Sequence, residues 1–281
     1  MSDKDGSNPD PNPFQAKGAS GMNFRNRVVF VAGGSSGINL GIAEAFAEAG
    51  AQVAIFSRSA EKLAAASAQL ARHGGRVLSF SGDVRDFESV SQALTQTAAE
   101  LGLLDVLVSG AAGNFICPAA SLSANGFKTV VDIDLLGTFN VMRAAWPHLR
   151  KPGASIINIT AAQSWLAVPG QVHVCAAKAG IDQITRTLAL EWGGSGVRIN
   201  SIAPGPITGT EGMARLAPTP ESVAAWTQAV PLQRFGQLKD ISDAALWLCS
   251  EQAAFITGVV LPVDGGLSLS GSGAIARAFT G

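Results

Sequence analysis

Short apolar runs rich in β-branched residues alternate along the chain with longer stretches in which apolar positions recur at helical spacing. We predict strands at 27–32, 52–56, 76–80, 105–109, 155–160, 198–203 and 259–264. We predict helices at 38–49, 60–72, 87–101, 124–149, 173–192 and 240–250. Regular alternation of buried strands and helices requires the crossover connections of a parallel sheet. The pattern therefore predicts a doubly wound parallel α/β sheet of about seven strands with helices on both faces, in three layers.

The organisation of the chain follows from where this alternation begins. Residues 1–22 are rich in Asp, Pro, Ser, Asn and Gly, so we predict a flexible tail there. The elements then form one uninterrupted series, and we predict a single domain over residues 23–281. After the sixth strand, residues at about 205–232 are predicted to form a variable loop that contacts the substrate.

Charge and cysteine usage exclude several classes of protein. The chain carries 20 Lys and Arg residues against 21 Asp and Glu residues, so nothing in its net charge attracts nucleic acid or an anionic membrane. No apolar run reaches the roughly 18 residues of a membrane-spanning helix. Cys117, Cys175 and Cys249 lie far apart and show no metal-ligand spacing. We expect a reduced, cytoplasmic protein without a metal site and without nucleic acid or membrane as partner.

The first predicted strand runs directly into a glycine-containing turn that opens a helix. Gly33 and Gly37 permit a tight turn that brings backbone N–H groups and a helix N-terminus against a pyrophosphate. Glycine turns after strands are common, so it is the position between the first strand and the first helix that indicates a dinucleotide site. The predicted contacts in this turn are Gly33, Ser35, Ser36, Gly37 and Ile38.

The ends of the second and third predicted strands carry residues that indicate which nicotinamide cofactor binds. Ser57 and Arg58 replace the acidic residue that would accept a ribose 2′-hydroxyl, and they favour the 2′-phosphate of NADP(H). Arg58 as a mere solvated charge at a helix start is the alternative. Asp83, followed by Val84, is predicted to accept from the adenine amino group. A role of Asp83 as cap of the helix that begins near residue 86 is equally open.

Further motifs follow the remaining strands in order. They are the small residues 109–112, Lys178, Pro204-Gly205 and the segment 263–266. With the turn at 33–39 and Asp83-Val84, they make residues 24 to 268 resemble the short-chain dehydrogenase/reductase family. The resemblance implies a Rossmann fold and hydride transfer with a nicotinamide cofactor. It implies further cofactor contacts at Ala111, Lys178, Pro204, Gly205, Ile207, Thr208 and Thr210, with Ile207 against one face of the nicotinamide.

The chain departs from that family at the reacting centre. The usual general acid is a Tyr four residues before the Lys, where this sequence has Val174, and the sequence contains 0 Tyr. The usual Ser falls on Ala161, although Ser164 is near. Asp134 stands where the family usually has an Asn, and Asn39 replaces the third glycine of the turn. These exchanges imply either lost chemistry or a different reaction.

Four local segments indicate which reaction. They are residues 111–115, 132–140, 171–173 and 204–212. In these segments the chain is similar to the 2,4-dienoyl-CoA reductase branch of the family, in its peroxisomal type without the Tyr. This implies NADPH-dependent reduction of a conjugated dienoyl thioester in the β-oxidation of unsaturated acyl-CoA. Two alternatives stay open: an NADP(H)-dependent carbonyl or alcohol oxidoreductase with another acid, such as His173, Asp134 or a water, and a non-catalytic NADP(H)-binding protein.

The resemblance assigns the catalytic roles to Asp134 and Lys178. Reduction of a polarised carbon–carbon double bond requires no Tyr, because negative charge collects on the thioester oxygen and the proton goes to carbon. Lys178 is expected to hold the nicotinamide ribose and to supply a positive field. Asp134 is expected to hold the water that delivers the proton. Asp132 and Asp134 point roughly 200° apart on a helix, so only one can face the site.

Three residues are expected to line the substrate pocket. Asn114 is predicted to donate a hydrogen bond to the thioester, and Phe115 to form a wall for the acyl chain or to lie in the core. His173 is predicted to serve the pocket or to cap the helix that begins there.

The oligomeric state follows from the resemblance and from helices 124–149 and 173–192, which are apolar around much of their circumference. Their apolar residues are Val130, Ile133, Phe139, Val141, Trp146, Ile181, Ile184, Leu188 and Leu190. We expect a homotetramer, with a dimer as the alternative.

Overall fold

A parallel sheet forms the centre of the molecule in a computed structural model that describes residues 22–272. Within that range seven strands lie in the order β3-β2-β1-β4-β5-β6-β7, all parallel to their neighbours. The strands are β1 Val28–Ala32, β2 Gln52–Ser57, β3 Val77–Ser81, β4 Val106–Ser109, β5 Ser155–Ile159, β6 Arg198–Pro204 and β7 Val260–Val263. The predicted doubly wound α/β fold is confirmed. The predicted tail, apart from Met22, lies outside the described residues.

Helices cover both faces of the sheet. They are α1 Gly37–Glu48, α2 Ala60–Ala71, α3 Phe87–Leu101, α4 Ala124–Val131, α5 Gly137–Ala145, α6 Val172–Trp192, α7 Glu211–Leu216, α8 Pro220–Ala229 and α9 Leu238–Cys249. Alternate strand residues point to opposite faces, so Val29 and Val31 join a core with α1, α2 and α9, while Val28 and Phe30 join a second core with α3 and α5. The result is three layers. Within residues 22–272, no helix combines the length and apolar character needed to cross a bilayer.

The long helix predicted at 124–149 is interrupted. It consists of α4, a π-helical turn at Asp132–Leu136, and α5, followed by a 3-10 turn at Trp146–His148. Gly137 lies so close to the loop after β3 that a Cβ there would come within 2.6 Å of Val84 Cγ2. A π turn adds one residue to a helical turn and is often found at functional sites. Here it carries Asp134.

The segment predicted as a variable loop at 205–232 contains two short helices that the sequence did not indicate. Thr210 caps α7, its Oγ1 accepting from Met213 N at 3.3 Å. Thr219 and Ser222 form a reciprocal capping box at the start of α8. Helices of this length bury too few apolar side chains to show a clear period in the sequence, although the caps were visible as residue types.

Candidate active site

A cavity of about 320 Å³ opens at the carboxyl ends of β1 to β4, where the strand order reverses beside β1. Ligands of doubly wound sheets bind at this switch point. Its wall contains eight of the predicted cofactor contacts, namely Gly33, Ser35, Ser36, Ser57, Arg58, Asp83, Val84 and Ala111. It also contains residues to which the sequence assigned no contact there, among them Asn39, Ser59, Lys62, Gly110 and Glu211.

The turn after β1 is shaped to receive an anion. Gly33 has a φ of 82°, and its N–H donates to Phe56 O at 2.8 Å, which fixes the turn against β2. Ser36, the N-cap of α1, makes no side-chain capping bond to the described part of the chain. The first N–H groups of α1 therefore keep their capacity to bind a phosphate. Gly37 begins α1, but Ile38 packs its side chain against the core below the turn.

The end of β2 presents two polar side chains to the cavity. Ser35 Oγ donates to Ser57 Oγ at 2.8 Å, which links the glycine turn to this strand end. Arg58 is exposed, and its guanidinium makes no hydrogen bond or ion pair with residues 22–272. A cation on the cavity wall without a protein partner suits an anionic ligand group.

Asp83 lies on the cavity wall but is already engaged by a neighbour. Its carboxylate accepts from Arg85 Nε at 3.0 Å and from Arg85 Nη2 at 2.6 Å. The hydrogen bond from Arg85 holds the pKa of Asp83 below its usual value. The alternative role as helix cap belongs instead to Asp86, which accepts from the N–H groups of Glu88 and Ser89. Any adenine contact of Asp83 must therefore share its carboxylate with Arg85.

Asn39 fills a space that Gly110 leaves open at the floor of the cavity. Its Nδ2 donates to Gly110 O at 2.8 Å. A Cβ at Gly110 would overlap the amide of Asn39, at 2.6 Å from Cγ. The side chain of Asn39 therefore fits in the glycine turn because Gly110, at the end of β4, has no side chain.

A buried ion pair joins the π turn to α6. Asp134 is 0% exposed, and its Oδ2 lies 3.1 Å from Nζ of Lys178, which is itself buried. Asp134 Oδ1 accepts from Gly113 N at 2.7 Å, and Lys178 Nζ donates to Ile159 O at 3.3 Å. Oδ2 has no well-oriented hydrogen bond within residues 22–272. The pair therefore retains an acceptor on Asp134 and a further donor on the ammonium for other groups at this strand end.

Asp132 has the opposite environment. Its carboxylate pairs with Lys128, one helical turn earlier on α4. The side chain of this Lys is 69% exposed. The two aspartates of the segment therefore point in different directions, as their spacing predicts, and only Asp134 reaches the site.

The position of the family's usual Tyr is apolar and closed. Val174 is 2% exposed and packs with Val130 and Ala177 between α4 and α6. A valine there can neither donate nor accept a proton. Ser164 lies in the turn after β5, and its Oγ is buried without a partner in the described chain.

Three amide side chains form a chain of hydrogen bonds beside the predicted substrate pocket. Gln163 Nε2 donates to Gln171 Oε1 at 3.1 Å, and Gln171 Nε2 donates to Asn114 Oδ1 at 3.0 Å. Because the acceptor of Asn114 is used by Gln171, its Nδ2 is left to donate. Asn114 follows Gly113, whose N–H binds Asp134. The arrangement orients Asn114 as a donor next to the buried ion pair.

His173 is less available than the sequence suggested. It is 0% exposed, its Nε2 lies 3.1 Å from Phe115 O, and the two rings lie 4.4 Å apart. Its Nδ1 has no partner within residues 22–272. This His therefore supports the loop after β4 from below. Phe115 is 40% exposed, so it lies at the surface of the loop rather than in the core.

Residues 204–210 at the end of β6 do not line the cavity described above, although Glu211 does. Pro204 ends β6, and Gly205 and Ile207 line a separate cavity with Pro231 and Leu232. Ile207 is 2% exposed and packs in the core.

The two threonines of this segment support local structure. Thr208 N donates to Gly236 O at 2.9 Å. Thr210 Oγ1 donates to Ile207 O at 2.9 Å as well as capping α7. Their predicted cofactor contacts stay predictions.

The sequence did not single out Gln163, Gln171, Lys62 or Glu211. Gln171 stood in one of the segments that carried the resemblance, but its role depends on contacts with residues 8 and 57 positions away. Lys62 and Glu211 are 149 positions apart and meet through the fold. No local sequence pattern predicts a contact between residues so far apart in the chain.

Comparison with known proteins places the chain among reductases. A family model described as enoyl-(acyl carrier protein) reductase matches residues 32–268. A Pongo abelii protein named peroxisomal 2,4-dienoyl-CoA reductase, (3E)-enoyl-CoA-producing, is 45% identical over 88% of this chain and 85% of that protein. A protein of the same name from Arabidopsis thaliana is 43% identical over 88% of this chain and 86% of its own length.

Solved structures agree with these relatives. A short-chain dehydrogenase from Bacillus anthracis superposes with a TM-score of 0.77 at 40% identity, covering 86% of this chain and 96% of that chain. The chain therefore belongs to the short-chain dehydrogenase/reductase family, together with the Pongo abelii and Arabidopsis thaliana proteins named 2,4-dienoyl-CoA reductase.

Proposed function

We propose that the protein reduces 2,4-dienoyl-CoA thioesters with NADPH, in the β-oxidation of unsaturated acyl-CoA. The observation that carries this proposal is the buried Asp134–Lys178 pair at the strand exit, combined with an apolar residue at the position of the usual Tyr. A carboxylate that is 0% exposed beside a buried ammonium is costly to maintain without a use. The relatives named as dienoyl-CoA reductases support the same substrate class.

The residues present fit a nicotinamide dinucleotide. The glycine turn offers N–H groups for the pyrophosphate, and the wall at Ser57 and Arg58 offers a hydroxyl and an unpaired cation for a 2′-phosphate. We therefore propose NADP(H) rather than NAD(H). Lys178 would hold the nicotinamide ribose through the N–H that its protein partners leave free. When bound, NADPH supplies the hydride for the far end of the conjugated system.

The side chains of this protein then stabilise the charge that develops on the substrate. Negative charge collects on the thioester oxygen, where the Nδ2 group of Asn114 can donate, since Gln171 occupies its Oδ1. Lys178 adds a positive field. Asp134 Oδ2, which has no well-oriented hydrogen bond to residues 22–272, would hold a water and direct its proton to carbon.

The position of protonation determines the product. A proton delivered beside the thioester carbonyl gives a 3-enoyl product, and one delivered two carbons further gives a 2-enoyl product. We propose the (3E)-enoyl thioester, because Asn114, the proposed donor to the thioester oxygen, directly follows Gly113, whose N–H binds Asp134, and because relatives carry that product in their names.

The substrate class is tested by following NADPH absorbance with dienoyl-CoA, enoyl-CoA and ketone substrates. We expect turnover with dienoyl-CoA. Turnover of ketones alone would contradict the proposal and favour a carbonyl oxidoreductase. Tight NADPH binding without turnover of any substrate would favour a non-catalytic binding protein.

We further propose a homotetramer. Val130, Val141 and Ile181, expected to support an interface, are instead buried in the protomer's own core. Other apolar side chains remain exposed on α4, the π turn, α5 and α6, namely Phe127, Leu136, Phe139 and Leu190. Their exposure supports contacts of these helices with another chain.

The cytoplasmic location stays a prediction from cysteine usage. The relatives compared carry the word peroxisomal in their names. Cell fractionation with an antibody to this chain would decide between the two compartments.

A further inference from the structure

An ion pair spans the wall of the cofactor cavity beside the 2′-phosphate position. Lys62 lies on α2, one turn beyond Arg58, and Glu211 begins α7. Lys62 Nζ and Glu211 Oε1 are 2.6 Å apart, and both residues line the same cavity as Ser57 and Arg58. The pair therefore connects α2, which follows the Ser57-Arg58 strand end, with α7, which follows β6.

The two members of the pair differ in their other partners. Glu211 has a second cation, Arg215 Nη2, at 3.5 Å from Oε2. The hydrogen bond and the charge of Lys62 lower the pKa of Glu211, and Arg215 contributes to the same direction. The Lys62 ammonium, by contrast, forms a hydrogen bond and ion pair with Glu211 and with no other side chain of residues 22–272. Glu211 can thus release Lys62 and keep a cation.

We propose that Lys62 is a second residue that binds the 2′-phosphate, and that Glu211 occupies its ammonium while the cofactor is absent. Phosphate and carboxylate then compete for one cation. A phosphate of nearly two negative charges is the stronger competitor for a compact ammonium. NADH presents a neutral hydroxyl and cannot displace the carboxylate. Phosphate binding would therefore also release α7 from α2, which couples cofactor choice to the segment after β6.

This inference rests on the proposed preference for NADP(H). It predicts opposite effects on NADPH binding for two variants. Titration of NADPH and NADH against the full-length protein measures both dissociation constants. Lys62→Met should weaken NADPH binding about tenfold, the loss of one charge-assisted contact, and leave NADH binding unchanged. Glu211→Gln should tighten NADPH binding about two- to fivefold by removing the competitor, again without effect on NADH.

A matched control is available on α9. Lys239 Nζ and Asp243 Oδ1 form an exposed ion pair of 2.7 Å that does not line the cavity. Asp243→Asn should change neither dissociation constant. In the double variant Lys62→Met with Glu211→Gln, the second change should no longer tighten NADPH binding, because the contested cation is gone.

If the wild-type protein prefers NADPH, two results would overturn the proposed role of Lys62 and Glu211 without affecting the NADP(H) preference. One is an equal loss of NADPH and NADH affinity in Lys62→Met, which would make the pair a support for α7. The other is unchanged or weaker NADPH binding in Glu211→Gln. A wild-type protein that binds both cofactors equally would instead overturn the proposed NADP(H) preference, and the inference with it.

Discussion

Asn39 and Gly110 show how two neighbouring positions adjust to each other at the residue scale. Gly110→Ala would push a methyl group into the amide of Asn39, since its Cβ lies 2.6 Å from Cγ. We expect a loss of about 1 to 3 kcal/mol in the free energy of unfolding, together with weaker NADPH binding. Thermal unfolding and cofactor titration measure the two effects. Adding Asn39→Gly should restore most of the stability and most of the NADPH affinity. If the losses in the double variant equal the sum of the losses in the two single variants, the two residues do not pack against each other as described.

Arg58 carries the second prediction at this scale. Arg58→Ala removes a charge-assisted contact with the 2′-phosphate, worth about 1.5 to 3 kcal/mol, or roughly 10- to 150-fold in NADPH affinity. NADH affinity should hardly change, because NADH lacks the phosphate. Equal weakening of both cofactors would mean that this guanidinium supports the loop or the adenine ring.

The positions of residues that belong to one short segment could be predicted from the sequence, since the Gly33 turn and the Ser57-Arg58 strand end lie on one cavity wall. The pairing of Asp134 with Lys178 could be expected only from the family resemblance. Roles that depend on a distant partner could not be predicted. Gln171 is recognisable as a positioning residue only once Asn114 is seen beside it.

The π turn is the feature that matters most at the element scale. One long helix over 124–149 is predicted, because an extra residue in one turn leaves the apolar spacing almost unchanged over so short a stretch. Gly137, the first residue after the π turn, lies close to Val84, and no local pattern indicates this tertiary contact. The two short helices in 205–232 escaped prediction for a similar reason, since their caps have the composition of a loop.

This close approach gives a prediction for the element. Gly137→Ala places a Cβ at 2.6 Å from Val84 Cγ2, and the β-branched Val84 side chain has little freedom to move. We expect a lower midpoint of thermal unfolding and a lower kcat, because α5 must shift and the adjoining turn carries Asp134. Val84→Ala in the same protein should recover the midpoint. Gly212→Ala, where a Cβ meets nothing within 4 Å, is the matched control and should have no such effect.

At the scale of the whole molecule, the parallel sheet and its three layers could be predicted from the alternation of strand and helix periods, whereas the interface could not. Apolar residues around a helix can face the protomer's own core or a partner, and the sequence does not distinguish these. Val141 is buried at 0% exposure, whereas Phe139 on the same helix is 43% exposed.

The proposed tetramer is tested through that exposed residue. Phe139→Glu places a charge at an exposed apolar position of the proposed interface, where desolvation of an unpaired carboxylate is unfavourable. Light scattering should give the mass of four chains for the wild type and a smaller mass for the variant. Phe255→Glu, at a fully exposed position outside these helices, should leave the mass unchanged. A wild-type protein of single-chain mass would contradict the proposal.

In the proposed reduction, which uses no Tyr, Asp134 of the buried Asp134–Lys178 pair holds the water that delivers the proton. The most direct measurement is kcat for NADPH-dependent reduction of a 2,4-dienoyl-CoA by Asp134→Asn, with the NADPH dissociation constant and the unfolding midpoint as controls for binding and folding. The amide keeps the shape and the contact with Gly113 but loses the charge that polarises the water. We expect kcat to fall by about 10²- to 10⁴-fold with little change in NADPH affinity. A kcat close to that of the wild type would contradict the proposed role of Asp134 in proton delivery.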